Sequence, residues 1–428
     1  MKLLFLSMHY RPEPCDTRTS QLASGLQAKG HETAALTSFP NYPFGRVYDG
    51  YRQRLVHRQV VDGVRVTRVP MMPDHSKSAI RRALSYLSFG FSASAIGFFA
   101  VRRPDLIWIH HPPLTTGIAG YLLAKIKRIP YVYEIHDLWP ESLAATGMIR
   151  EGRITRLIGT ICDFLHRHAA AIVVTSPGMK DHLVDRGVST ARIHVFPQWA
   201  AGDEEPLPEA DAEFGQEHGL AGKFNIVCLG NLGIAQGLDT VIEAAKRLRD
   251  LDGAQIVLAG AGAELERLRR RVLEESLTNV KFTGQVDREL ARKYLAWADG
   301  LLVHLRNDPL FAITIPSRTQ NYLAAGRPIL CGVRGDTAAI VSSGDAGLCF
   351  ASEDAAAMEA AIRRLHSMAS GERARFGANA RRAYEAWFAK DKLIAEYEGL
   401  FRRIVAGEAE RFAVVAEEVA RPARERAA

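Results

Sequence analysis

The chain has 428 residues, 47% of them apolar and 24% charged, with a formal net charge of +7. That length exceeds what one hydrophobic core usually serves, so two domains of roughly 180 to 200 residues are expected. The composition excludes a disordered chain, a fibrous repeat and a disulfide scaffold: Cys15, Cys162, Cys228, Cys331 and Cys349 are odd in number, widely spaced and without a CxxC pair.

The apolar opening Met1–Met8 meets Arg11 and Glu13 with no small-residue cleavage site, so it reads as a strand and not as a secretory leader. A helical stretch over Leu22–Lys29 and a second apolar run over Glu32–Thr37 complete a β-α-β opening. From residue 46 to 103 there are 11 lysines and arginines against Asp49, Asp62 and Asp74, a positive region that attracts phosphate ligands, anionic bilayers or nucleic acid alike. Residues 83 to 101 carry no charge and lie between Arg81-Arg82 and Arg102-Arg103. Serines and glycines within them favour a helix buried in the first domain, with a bilayer-docking helix and a span as the alternatives.

Short buried strands follow at Leu106–Ile109, Tyr131–Ile135 and Ala171–Val174, so the first half reads as a doubly wound parallel sheet. A composition break places the first domain at 1–198 and a linker at 199–222. The pattern restarts with strands at Phe224–Leu229 and Ala254–Ala259 and helices at Leu238–Leu248 and Glu264–Leu273, giving a second α/β domain over 223–384. Residues 385–428 read as helical.

The segment after the first strand, His9 to Pro14, has no GxGxxG, which disfavours a nicotinamide or flavin enzyme; Gly260-Ala261-Gly262 is a fragment with Glu266 in the third glycine's slot. Tyr133-Glu134-Ile135-His136-Asp137 ends a strand, and a period of two puts Glu134 and His136 on one face, at the sheet end where ligands bind. The loop Gly230–Gly237 between strand and helix can aim amides at an anion, though glycines also serve plain turns. Pro316 and Gly326 bracket a helix whose start carries Ser317 and Arg318, suited to a diphosphate or, for Ser317, to simple capping. Histidines at 110, 111, 166 and 168 diverge, so no metal site is expected, and no nucleic-acid module is recognisable.

Together YRPEP at 10–14, SFPNYPFGR at 38–46, HHPPLTTG at 110–117, EIHDLWPES at 134–142, GNLGIAQGLD at 230–239 and DPLFAITIPSRTQNYLAAGRP at 308–328 resemble glycosyltransferase family 4, in its WbuB-like branch. The resemblance implies the GT-B fold: two facing Rossmann-like domains with an interdomain cleft, the acceptor on the first, the nucleotide-sugar on the second, and a terminal helix near Trp387 crossing back. It implies a retaining transferase without metal or other cofactor, with a UDP-sugar as donor and His136 and Arg318 as catalytic groups. Gly230, Asn231, Gly233, Gln236, Gly262, Val286, Pro316, Ser317 and Asn321 are the donor-binding set, and Tyr10, Asp16, Arg18, Asp137, Trp139 and Glu141 the acceptor side.

Asn231 and Gln236 stand where the family usually has Arg and Lys; Asn321 replaces its second glutamate, and Ala312 and Ile313 occupy the segment of the first. The implied acceptor is a lipid-linked glycan of polysaccharide or O-antigen assembly, handled in the cytoplasm or at the inner membrane's cytoplasmic face beside anionic lipid. A nucleotide-sugar 2-epimerase and a non-catalytic sugar-nucleotide binder are the alternatives.

Overall fold

The computed structural model describes residues 1–14, 18–76, 78–145, 148–149, 152–200 and 206–408, divided into two compact units. Among the described residues, unit 1 takes 1–197 and 390–408, and unit 2 takes Gln198–Ala389.

Unit 1 is built on eight strands: β1 (Lys2–Leu6), β2 (Glu32–Ser38), β3 (His57–Val61), β4 (Val64–Val69), β5 (Leu106–His111), β6 (Tyr131–Ile135), β7 (Ala171–Val174) and β8 (Ile193–Val195). Their order is β3-β4-β2-β1-β5-β6-β7-β8. Central strands such as Tyr131–Ile135 are buried throughout, because helices cover both faces of a parallel sheet. The sheet is mixed rather than wholly parallel, since β3 pairs antiparallel with β4. Asp62 and Gly63, at φ 50° and 79°, make the tight turn between them, a backbone that matches strand twist and that Asp-Gly adopts readily.

Helices α1 (Arg18–Ala28), α2 (Ala79–Ala100), α3 (Leu114–Lys127), α4 (Glu141–Ala145), α5 (Arg153–His168) and α6 (Pro177–Asp185) connect these strands. α2 contradicts the expectation of a buried helix. Its inward face is Ser85, Phe89, Gly90, Ser92, Ala93 and Gly97, while Ile80, Leu84, Leu87, Phe91 and Phe99 are exposed. The helix Lys390–Val405 lies against α1, so closely that a Cβ on Gly25 would stand 2.5 Å from Ile394 Cδ1.

Unit 2 holds a parallel sheet of β9 (Phe224–Leu229), β10 (Ala254–Ala259), β11 (Val280–Gly284), β12 (Gly300–His304), β13 (Ile329–Gly332) and β14 (Gly347–Cys349). The order β11-β10-β9-β12-β13-β14 reverses direction between β9 and β12. Loops at such a reversal splay apart and leave a crevice at the strands' carboxyl ends. Part of the range read as a linker is folded here: Ala212–Glu217 is a helix capped by Asp211, and Phe214 stacks on His218 in the core. Trp387, expected near the crossing, ends a helix over Ser370–Trp387 and packs on the unit 2 core; the change of unit comes at Lys390.

A Cβ on Gly260 would lie 1.9 Å from the Gly230 carbonyl oxygen, and Gly260 itself has φ 152°. Gly260→Ala is therefore expected to destabilise unit 2 by about 2–4 kcal/mol in urea unfolding, from overpacking plus backbone strain.

Candidate active site

At the carboxyl end of the unit 1 sheet one carboxylate organises its surroundings. Glu134 is fully buried; its Oε1 lies 2.8 Å from Arg18 Nε and 2.8 Å from His136 Nε2. Its Oε2 accepts from Trp108 Nε1 at 2.8 Å and from the Tyr397 hydroxyl at 2.6 Å. Burial by itself would raise the Glu134 pKa, but the Arg18 charge and then the His136 hydrogen bond bring it down to about 2. An ionised carboxylate only accepts, so His136 Nε2 carries the proton toward Glu134. The face shared by Glu134 and His136 was legible from strand alternation; Trp108 and Tyr397 were not.

A second imidazole lies against the first: the rings of His110 and His136 are 4.3 Å apart between centroids. His110 Nδ1 is buried with no hydrogen-bond partner among the described residues, and burial, then His136, push its pKa well down. His111, on the opposite face of β5, bonds the Tyr133 hydroxyl at 2.9 Å, and burial lowers it to about 3. Near the end of β1, Glu13 forms another buried node, accepting from the amides of Asn41 and Tyr42, each at 2.9 Å, and touching His9 Nδ1 at 3.0 Å.

The residues named for the acceptor side separate. Tyr10 is wholly buried, and Arg18 is interior, bound to Glu134, the Tyr397 hydroxyl and the carbonyls of Phe196 and Pro197. Asp137 is exposed, Trp139 sets its ring edge-on to His111 at 5.2 Å, and Glu141 is held by Arg186 at 3.0 Å and His182 at 3.3 Å. Asp16 lies outside the described residues.

In unit 2 the reversal point is filled by the loop after β9. Gly230 and Gly237 adopt φ 116° and 56°, and the Gln236 side-chain oxygen accepts from the Gly233 amide at 2.9 Å. Gln236 thus braces the loop. His304, at the end of β12, holds the same loop by donating from Nδ1 to the Gln236 carbonyl at 2.7 Å while Nε2 accepts from the Glu353 amide at 3.2 Å. Gly262 packs on it so tightly that a Cβ would sit 2.4 Å from the Leu232 carbonyl. Val286 follows β11 and packs partly buried on the core.

The helix Ser317–Ala325 starts behind Pro316 as N-cap, with no side-chain cap, and closes at Gly326 at φ 65°. Ser317 is therefore the first helical residue and exposed rather than the cap; Asn321 lies one turn further on. Arg318 is buried, its guanidinium 3.2 Å from the Cys228 sulfur and 3.3 Å from the Asn231 carbonyl. A Cβ on Gly230 would be 3.5 Å from Arg318 Nη2, so the guanidinium lies at the loop's glycine. Among the described residues no carboxylate comes within ion-pair distance of it.

Residues 15–199 match the family described as Glycosyl transferase 4-like domain, and residues 211–383 match Glycosyl transferases group 1. The colanic acid biosynthesis glycosyl transferase WcaI of Escherichia coli K12 is 29% identical over 336 residues, covering 76% of this chain and 82% of that protein. Sucrose-phosphate synthase of Thermosynechococcus elongatus superposes with TM-score 0.71 at 19% identity, covering 95% of this chain and 99% of that one. HepE of Anabaena, solved with UDP and glucose, gives TM-score 0.68 at 16% identity, covering 93% and 98%.

The buried histidines generate a pH prediction. His111 and His166 have ordinary values of 6.5 and are lowered by burial to about 3. Below 6.5 the unfolded chain binds protons that the fold refuses, so stability should fall continuously from about pH 6.5 toward pH 3. Urea midpoints measured across that window check it, and His166→Gln should flatten the slope. With matches spanning both units, the chain belongs to family 4 of the glycosyltransferases and has the GT-B fold.

Proposed function

We propose that this glycosyltransferase retains anomeric configuration and moves a sugar from a UDP-linked donor to a lipid-linked glycan during cell-surface polysaccharide assembly. The observation that carries the donor assignment is Arg318: a buried guanidinium beside a glycine loop, whose partners among the described residues are a thiol and a carbonyl. A buried cation without a counter-ion is costly, and a diphosphate supplies the missing charge in the geometry a guanidinium favours. The amides of Gly230, Leu232, Gly233, Gln236 and Gly237 are engaged within unit 2, which leaves those of Asn231, Ile234 and Ala235 and the helix start at Ser317 as further donors for the same anion. The UDP and UDP-glucose complexes of HepE, which shares the fold, support a uridine nucleotide, and the name of WcaI supports a polysaccharide product.

In transfer, the bond from the anomeric carbon to the diphosphate oxygen breaks as the acceptor hydroxyl bonds to that carbon, and the hydroxyl proton passes to the departing diphosphate. Negative charge grows on the diphosphate, and donors fixed in advance stabilise it most. Arg318 and the loop amides do that in unit 2. His136, oriented by Glu134, hydrogen-bonds a sugar hydroxyl in unit 1. The site requires no metal in this reading, and the protein works at the cytoplasmic face of an anionic membrane.

Arg318→Ala should lower turnover by about 10²-fold or more and abolish the UDP-induced rise in melting temperature, while Arg318→Lys restores part of the binding. Full turnover by Arg318→Ala with any accepted nucleotide-sugar would refute the assignment.

A further inference from the structure

A helix of a soluble protein turns its large apolar side chains inward, whereas among those of α2 Phe89 alone is buried. Apart from Phe89, its inner contacts are made by glycine, serine and Ala93: a Cβ on Gly97 would lie 2.6 Å from Leu36 Cδ2, and one on Gly90 would lie 2.9 Å from Thr115 Cβ. Its outer stripe repeats at helical spacing through Ile80, Leu84, Leu87, Phe91 and Phe99, and Phe91 and Phe99 are 75% and 84% exposed. Scattered surface apolars need no explanation, but a continuous stripe five side chains long does.

The stripe does not stand alone. α3 packs beside α2 and exposes Leu122 and Ile126; α5 packs beside α3 and exposes Ile154 and Leu157. All three helices connect strands that advance in one direction from β4 to β7, so right-handed crossovers put them on one face of the sheet. The charge of that layer has one sign. Residues 79–103 and 114–128 contain seven lysines and arginines and no acid, and residues 153–168 contain three arginines against Asp163. Asp163 is occupied by Arg186 at 2.6 Å. Arg81, Arg102 and Arg103 mark the two ends of α2, Lys125 and Arg128 the end of α3, and Arg153 and Arg156 the start of α5; all are exposed.

We infer that the layer of α2, α3 and α5 docks unit 1 onto an anionic lipid bilayer. Aromatic and aliphatic side chains enter the headgroup boundary, and the surrounding cations meet lipid phosphates. Uniform positive charge argues against a second copy as the occupant, because two such faces repel. The inference deepens the lipid-linked acceptor reading and rests on it for its purpose: docking would bring unit 1 to the surface where such an acceptor resides.

The test is flotation of the full chain with vesicles of phosphatidylglycerol and phosphatidylethanolamine, set against phosphatidylcholine alone. Binding is expected to the anionic vesicles, to fall about tenfold or more on neutral ones or at high salt, and to fall about tenfold or more in Phe91→Asp/Phe99→Asp. That variant should keep the wild-type melting temperature and its UDP-induced shift, since both positions face outward in unit 1. Wild type that ignores anionic vesicles, or a double variant that floats as wild type does, overturns the inference. So does sedimentation showing a dimer that the two substitutions split, which would make the layer an interface between copies. Retained UDP binding with lost flotation of wild type would sink the docking alone; the converse would sink the donor reading alone.

Discussion

Buried positive charge is the constraint from which the rest follows. Among the described residues three arginines are buried inside the α/β units, Arg18, Arg68 and Arg318, and each is accommodated differently. Arg18 is supplied with a carboxylate: Glu134 pairs with it at 2.8 Å, and the Tyr397 hydroxyl joins both. Arg318 has the Cys228 thiol and a carbonyl, neither of which carries charge. Arg68 donates to the Ser38 and Arg11 carbonyls with its guanidinium over the Tyr51 ring, whereas Arg318 stands at a sheet reversal beside a glycine loop, which is why the proposed donor site is assigned to it.

The fold explains why the anion would arrive there. In the unit 2 sheet the chain leaves β9 to build β10 and β11 on one side, then returns to place β12 on the other. Gly260 and Gly262 let the next loop press against the Gly230 region, where any side chain would collide with backbone. His304 and Gln236 then fix the loop from beneath. In unit 1 the corresponding reversal lies between β1 and β5, and the buried carboxylates Glu13 and Glu134 and the imidazoles His110 and His136 gather near it. Tyr397 reaches Glu134 from the helix Lys390–Val405, so residues at the two ends of the chain define one polar network.

Much of this was legible in the sequence because it depends on local rules. Apolar runs gave the central strands, Pro316 and Gly326 bracketed the helix that carries Arg318, and strand alternation put Glu134 with His136. What escaped depends on contacts distant in the chain. Nothing near Tyr397 announces a bond to residue 134, and nothing near His304 announces one to residue 236. The antiparallel β3–β4 pair was missed although Asp62-Gly63 is a hairpin signal, because both strands carry arginine and β3 is half exposed. The apolar run of α2 was visible, but which way it faced was not: only the packing shows glycine, serine and Phe89 inside and Phe91 and Phe99 outside.

A crystal structure of the protein with UDP tests the central claim most directly. The account predicts a diphosphate oxygen within about 3.2 Å of the Arg318 guanidinium, with the amides of Asn231, Ile234 or Ala235 turned toward the same phosphate. A diphosphate bound elsewhere, with Arg318 still resting on Cys228 and the Asn231 carbonyl, would contradict it.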